Sequence, residues 1–511
     1  MSRGGAGAPP PTAAGAKWAT VAAVLAAALA LALGTVGLAD ASLWLDETFS
    51  VFDARRDVVD IFAMRGEAYG GAHHPPGYFL LLKATIAVCG TAEVCVRAPS
   101  VAANAGIAAM VVVLGARLFG LGAGAVAGVV WAAMPYAIKY GQQARHYTLL
   151  ALVAAIALWL VVRVLDRARD AGQPRDGEMV ALGLAAAAAA WLHLFALPFV
   201  GTLAALTAAA AWIVRRSPSA PTPRQWGLTI VAGAIACAPL VPGMWTVWVT
   251  GGGGQLASAA GPVENAWPLV VDLATFGLDT PWVPAVAACA VSVPTWRARG
   301  CVAALGLLAA LPMSVIFVRN PEHFVTLRYF MPSLVPVALL VAAGVAGIAG
   351  VLGAARARWL PRTGPALTAA LTAAILAVPA WRVGVLYVSG LRKQWATSGF
   401  EPWRDVAAAI RGGAGRGDVA VLVPFELVAY PFAVYELPIS AHAPADIAEV
   451  MAGRPQGVFV VSSHVDGPER AAQRRAVLRR VAAAGYVRTE LEGLPGQRSI
   501  EVLLYRPRSR R

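Results

Sequence analysis

The chain has 511 residues, 58% of them hydrophobic and only 14% charged, with a mean hydropathy of +0.63. Soluble domains carry about 45–50% apolar and about 25% charged residues, so an ordinary soluble protein is excluded. The formal charge of +14 comes largely from arginines in short connections between apolar runs and in the tail. No basic face interleaved with aromatics accompanies them, so they signal topology and attraction to anionic lipid, not nucleic acid.

In chain order, apolar runs fall near 17–39, 98–116, 121–138, 148–163, 179–192, 194–214, 226–248, 282–295, 301–318, 328–352 and 365–388. A bilayer span needs roughly 18 or more apolar residues, so these runs predict about eleven transmembrane helices. The first run is too long for the apolar core of a signal peptide and is read as an uncleaved span. The stretch 179–214 is too long for one span and is read as two helices turning at His193.

Orientation follows from Lys and Arg in short loops. Arg163, Arg167, Arg169 and Arg175, then Arg215, Arg216 and Arg224, Arg297 and Arg299, and Arg356, Arg358 and Arg362 all fall on one side. The opposite loop 249–281 has Glu264, Asp272 and Asp279 and no Lys or Arg. The N-terminus is therefore expected in the cytoplasm, and an odd span count puts residues 389–511 outside the cell membrane.

The expected organisation is a transmembrane domain over 1–388, with a long outer loop at 40–97, and an extracytoplasmic domain over 389–511. In that last domain Asp418–Val423, Gly457–Ser462 and Ser499–Tyr505 read as buried strands, and Trp403–Ile410 and Glu469–Ala484 as helices. A small α/β fold is the outcome. It has no Gly-rich phosphate loop, and Ser463, His464 and Asp466 read as a strand-to-turn edge. Cys89 and Cys95, on the predicted outer side, are compatible with a disulfide or with two thiols.

The outer loop carries the candidate chemistry. It opens with Trp44-Leu45-Asp46-Glu47, an acidic pair just beyond the first span. A carboxylate there could take a proton from an acceptor hydroxyl or bind a metal, or Asp46 could merely cap a surface helix. His73 and His74, followed by Pro75-Pro76-Gly77-Tyr78, suit proton transfer, phosphate contact or metal ligation. The bland alternative is two solvated loop histidines.

These residues, with Arg97-Ala98-Pro99-Ser100 and Tyr140-Gly141-Gln142-Gln143-Ala144-Arg145-His146-Tyr147, resemble the GT-C superfamily of membrane glycosyltransferases. The similarity is to the branch with protein O-mannosyltransferases and the bacterial lipid A aminoarabinose and galacturonic acid transferases. Weaker matches follow at Trp191-Leu192-His193, Leu327-Arg328-Tyr329-Phe330-Met331-Pro332 and Pro402-Trp403-Arg404-Asp405.

The resemblance implies transfer of a sugar from a polyprenyl-phosphate donor to an envelope glycan, lipid or protein acceptor at the outer face, generally with inversion. It makes Asp46 the general base and Glu47 its partner. It places His73, His74, Gln143, Arg145, Tyr147, His193, Arg328 and Tyr329 on the donor phosphate or substrate. Many relatives have a glutamate at Gln143, which leaves a divalent metal as an open cofactor. Rival readings are a transporter of lipid-linked substrate, or a non-catalytic binder of lipid or cell-wall glycan. A transporter would place ionisable groups within the spans, which here are almost free of charge.

Overall fold

The computed structural model describes residues 13–64, 74–169, 172–193, 196–249, 286–287, 289–293, 296–319, 327–356, 401–465, 467–491 and 500–508, with isolated positions between 366 and 381. His73, Asp466, the loop 249–281 and most of the runs 282–295 and 365–388 lie outside them. The chain divides into two compact units. One comprises Met1–Val36, Pro99–Gln142 and His146–Val388; the other comprises Gly37–Ala98, Gln143–Arg145 and Ser389–Arg511.

The first unit is helical. Its elements include α1 (Ala13–Thr35), and α2 to α4 of the other unit (Leu45–Arg55, Val58–Phe62 and Gly77–Cys89) follow in sequence. Helix α5 runs Glu93–Phe119, then come α6 (Leu121–Ala133), α7 (Pro135–Gly141), α8 (Tyr147–Arg169), α9 (Asp176–Leu192) and α10 (Ala196–Val214). Beyond these lie α11 (Pro223–Cys237), α12 (Val241–Val249), α13 (Trp296–Arg319) and α14 (Met331–Arg356).

Among the described residues six helices are long and apolar enough to cross a bilayer, or seven if α6 and α7, bent by 58°, form one span. The shortfall from eleven runs has physical and positional causes. Helix α9 has 17 residues, the described apolar part of α13 is Arg299–Pro312, and two further runs lie mostly outside the described residues. The α6–α7 bend falls where Pro135 occupies the first position of α7, which a proline starts well but cannot continue from a preceding helix.

Small side chains let these helices approach. A Cβ on Gly124 of α6 would lie 2.5 Å from Val112 O and 2.6 Å from Ala116 N of α5. A Cβ on Gly183 of α9 would lie closer still to the Thr229 carbonyl of α11. Association inside a membrane relies on such backbone approach, because lipid tails are as apolar as the side chains. Buried polar groups are satisfied locally: Trp131 Nε1 donates to Asn104 Oδ1 at 2.9 Å. Gln142 Nε2 donates to the carbonyls of Leu33, Gly34 and Val36, closing the C-terminal end of α1. Arg163 and Arg167 of α8 pair with Glu178 of α9, and Arg117 of α5 with Asp166 of α8.

The second unit holds a five-stranded sheet, β1 (Asp418–Val423), β2 (Ser440–His442), β3 (Gly457–Ser463), β4 (Tyr486–Thr489) and β5 (Ile500–Pro507), in the order β2-β1-β3-β5-β4. Strand β1 is parallel to β2 and β3, and β5 is antiparallel to β3 and β4. Alternation splits the strands into two cores. Ala420, Leu422, Phe459 and Val461 pack with Trp403, Val406 and Ile410 of α15 (Trp403–Gly413). Val421, Val423, Val458 and Val460 pack with Val477 and Val481 of α18 (Pro468–Ala483), with α17 (Ile447–Ala452) on the same face. The short edge strands β2 and β4 escape sequence reading because their residues are mostly exposed.

Helix α2 belongs to this unit and packs on α16 (Phe425–Val434). Phe49 and Phe52 meet the Tyr430 ring at centroid distances of 4.3 and 4.9 Å. Cys89 and Cys95 form a disulfide across the connection from α4 to α5.

Close helix approach sets a testable expectation. Gly124→Val should cost about 1–3 kcal/mol through overpacking, read as a lower unfolding midpoint of the purified protein. Gly122→Val, whose Cβ would meet nothing within 4 Å, should leave the midpoint nearly unchanged.

Candidate active site

The first turn of α2 brings Asp46 and Glu47 into the interior of the α/β unit. Asp46 is 8% exposed and Glu47 fully buried. Asp46 is therefore not the cap of a surface helix; Trp44 occupies the N-cap position and Asp46 the second helical one. The two carboxylates point apart in function, as adjacent helical positions about 100° apart allow.

Glu47 is an anchor. Arg97, 3% exposed, donates from Nε to Oε1 at 2.8 Å and from Nη2 to Oε2 at 2.6 Å. Glu47 also accepts the Trp44 N–H at 3.2 Å and the Ala144 N–H at 2.8 Å. The first of these is the reciprocal half of a capping box, supplied by a glutamate three residues after the cap. Arg97 spends its other N–H groups on the carbonyls of Leu38, Ala41 and Ser42. One arginine thus fixes both the acidic pair and the strand of chain leading into it.

The same segment is pinned from the sheet side of the unit. Leu43 N donates to the Tyr435 hydroxyl at 2.8 Å, Arg404 N to Ser42 Oγ at 3.2 Å, and Leu45 N to Glu401 Oε2 at 2.9 Å. Arg404 adds bonds to the Ala39 and Asp40 carbonyls and an ion pair with Glu93. Arg145 donates to the Asp46 carbonyl and to Ser50 Oγ, both at 3.1 Å. Arg145, expected on the donor phosphate, is thus engaged with the turn that carries Asp46. Gln143 is buried in the same unit, and its carbonyl accepts the Arg145 N–H. His74 is half-buried, its ring 6.2 Å from that of Phe79 on α4.

A second group of expected residues gathers in the helical unit. Tyr147 at the start of α8, His193 at the end of α9, and Arg328 and Tyr329 in the turn before α14 converge. The rings of His193 and Tyr329 lie 5.9 Å apart, and those of Tyr147 and Tyr329 6.0 Å apart. The Arg328 guanidinium stands 5.9 Å from the Tyr147 ring and 5.5 Å from that of Tyr329. His146 joins them, stacked on His193 at 4.2 Å with planes 22° apart, both histidines buried. Lys139 lies nearby on Tyr140. Beside this cluster, an apolar cavity of about 730 Å³ is walled by helices α8 to α11 and Pro332.

Two of these groups escape a sequence reading. His146 sits between Arg145 and Tyr147, and its stacking on a residue of another helix is not encoded in local pattern. Glu401 directly precedes the Pro402-Trp403-Arg404-Asp405 element, but only the fold shows it at the N-terminus of α2. Burial first, then the charges of Asp46 and Glu47, push the Glu401 carboxyl up to about 7, against hydrogen bonds from Trp403 and Leu45. Among the described residues no group of three or more His, Cys, Asp or Glu converges as metal ligands, and both Glu47 oxygens are occupied.

Residues 73–241 match the family of dolichyl-phosphate-mannose-protein mannosyltransferases. No curated protein sequence matches the chain. The chain is similar to several solved structures, two of which bear on its fold. One is ArnT from Cupriavidus metallidurans bound to undecaprenyl phosphate, 16% identical, with a TM-score of 0.59 over 95% of this chain and 98% of that one. The other is the archaeal oligosaccharyltransferase AglB from Archaeoglobus fulgidus, in complex with an inhibitory peptide and a dolichol-phosphate. It is 11% identical, with a TM-score of 0.52 over 96% of this chain and 75% of that one. The chain shares the fold of these two structures. The GT-C fold is what the motifs around Asp46, His74 and Arg145 implied.

Two measurements probe this anchoring. Arg97→Met should destabilise the chain by about 3–5 kcal/mol, because it leaves Glu47 charged, buried and unpaired; the unfolding midpoint reads this. Glu401 supplies a pH dependence of definite sign. The folded chain holds its proton up to about pH 7 while an unfolded chain releases it near 4.5, so more protons are bound when folded across that window. Its contribution to stability is complete below that window and is lost as pH rises through it. The decline in melting temperature over that range should be smaller in Glu401→Gln.

Proposed function

We propose that this chain transfers a sugar from a polyprenyl-phosphate donor to a hydroxyl of an envelope glycan, lipid or protein, at the extracytoplasmic face, with inversion. The observation that carries the reading is the fixed, buried first turn of α2. It presents Asp46 while Arg97 holds its neighbour Glu47. The GT-C fold and the mannosyltransferase-family match over 73–241 support the same class of reaction.

In the proposed step Asp46 removes the acceptor hydroxyl proton as that oxygen attacks the anomeric carbon. The bond from that carbon to the phosphate oxygen breaks, and polyprenyl phosphate leaves with the electron pair. Glu47, whose oxygens are committed to Arg97 and two backbone N–H groups, is in no position to act as a covalent nucleophile. With Asp46 as the base, this supports a single displacement, and therefore inversion.

The leaving phosphate gains charge, which fixed cations and N–H donors stabilise best where water is scarce. Within the helical unit, Arg328 and Lys139, with the stacked His146 and His193, are groups of the kind that a phosphate takes. The apolar cavity lined by Leu150, Phe199 and Pro332 suits the hydrocarbon chain of such a donor, which has no polar group to satisfy. The bias of arginines toward one set of loops supports the extracytoplasmic assignment of α2 and the α/β domain.

The decisive experiment is Asp46→Asn, assayed with polyprenyl-phosphate sugars. The variant keeps size and removes basicity, so turnover should fall by at least about 100-fold while donor binding persists. Near-normal turnover would remove Asp46 as the base. Donor binding without turnover in the unaltered chain would identify a binding protein instead of a transferase.

A further inference from the structure

Glu401 is a buried carboxylate that the proposed transfer step does not use. Its Oε2 accepts two N–H groups at once, from Leu45 at 2.9 Å and from the Trp403 indole at 2.9 Å. Leu45 is the first residue of α2, immediately before Asp46. The other oxygen, Oε1, faces His464 Nε2 at 3.5 Å. His464 in turn shares a hydrogen bond between Nδ1 and Ser463 Oγ at 2.9 Å, at the C-terminal end of β3. His464 has a left-handed backbone, φ +56°, that few side chains adopt without surrounding support. Arg470 of α18 donates to the His464 carbonyl at 3.2 Å.

From this geometry we infer that Glu401, steadied by His464, is a positioning residue for Asp46: it clamps the N-terminus of α2 and so sets where the base stands. The inference rests on the reading of Asp46 as the base, and it assigns a role that the resemblance does not. An N-terminal helix end has unpaired N–H groups and positive potential, and a buried carboxylate answers both. Ser, Thr, Asp or Asn usually does this from the cap position. Here Trp44 is the cap and cannot accept, so a glutamate distant in sequence fills the role.

Among the described residues, the charged and titratable groups that act on Glu401 include Asp46 and Glu47 on α2 and His464 just after β3. Burial first, and then repulsion from Asp46 and Glu47, favours a proton on Glu401. The division of labour between the two oxygens makes the clamp tolerant of that proton. It can reside between Oε1 and His464 while Oε2 still accepts both N–H groups. Glutamine reproduces this arrangement, with its carbonyl oxygen on Leu45 and Trp403 and its NH2 toward His464. Alanine removes it.

The test compares Glu401→Ala with Glu401→Gln in the full-length protein reconstituted in lipid. Hydrogen exchange of peptides covering residues 42–50 reads the clamp without any need for turnover. Loss of an N-terminal clamp should raise exchange there by about 10-fold in Glu401→Ala, through local opening, and leave Glu401→Gln like the unaltered chain. With a polyprenyl-phosphate sugar as donor, Glu401→Ala should lose about 10- to 100-fold in kcat, as small misplacements of a reacting group do, with little change in donor KM. Glu401→Gln should recover most of that loss.

Unchanged exchange over 42–50 in Glu401→Ala overturns the clamp whatever the activity. Equal loss of kcat in both variants also overturns it, because it would assign Glu401 a direct chemical role. A clamp seen by exchange in a chain whose Asp46→Asn variant turns over normally would sustain the holding role and defeat the base assignment alone.

Discussion

Arg97 and Glu47 form a bidentate ion pair with almost no access to solvent, and much of the α/β unit's local order is built on it. A buried pair is not a source of great net stability, since two charges must leave water to make it. Its value is directional. The guanidinium is planar and offers five donors in a fixed fork, so once two are committed to Glu47 the others can reach only certain carbonyls. Those of Leu38, Ala41 and Ser42 are the ones it finds. The path of the chain into α2 is thereby set by the protein's own groups.

Around that pair the segment 38–47 is held from several directions by groups far away in sequence. Tyr435 takes the Leu43 N–H, Arg404 reaches Ala39, Asp40 and Ser42, and Glu401 takes the Leu45 N–H. Burial and the nearby Glu93 carboxylate push the Tyr435 hydroxyl well above its ordinary range, so it remains a neutral donor and acceptor. A carboxylate that must take a proton from a hydroxyl gains from such preorganisation, because no reorganisation is then required during the step. The helical unit shows a different logic. There, close glycine contacts bring helices together, and rings and cations collect where α8, α9 and the turn before α14 converge.

The two neighbouring carboxylates show how environment assigns roles that residue type leaves open. Asp46 and Glu47 are adjacent and chemically alike. Four donors converge on Glu47 and fix it as structure, while the backbone carbonyl of Asp46, not only its carboxylate, is drawn into bonding by Arg145 and Ser50. Arg145 illustrates the reverse case. Its charge and motif pointed to the donor phosphate, and its guanidinium also supports the turn that carries Asp46.

By itself the sequence determined the membrane class, the α/β tail and the acidic motif at Asp46. Uninterrupted apolar runs, long in the spans and short in the buried strands, are local patterns, each legible within about 20 residues. The turn at His193 and the strands at 418–423 and 457–462 were readable for that reason. Tertiary structure alone decided which charges are anchors, because that depends on partners distant in the chain. Glu47 meets Arg97 fifty positions away, and Leu45 meets Glu401 356 positions away. His146 finds His193 from another helix, and the edge strands β2 and β4 exist only because a neighbour offers them a ladder. Hydrogen-bond donors and acceptors have no periodicity to betray their partners; burial forces each to find one, and only the folded chain shows which.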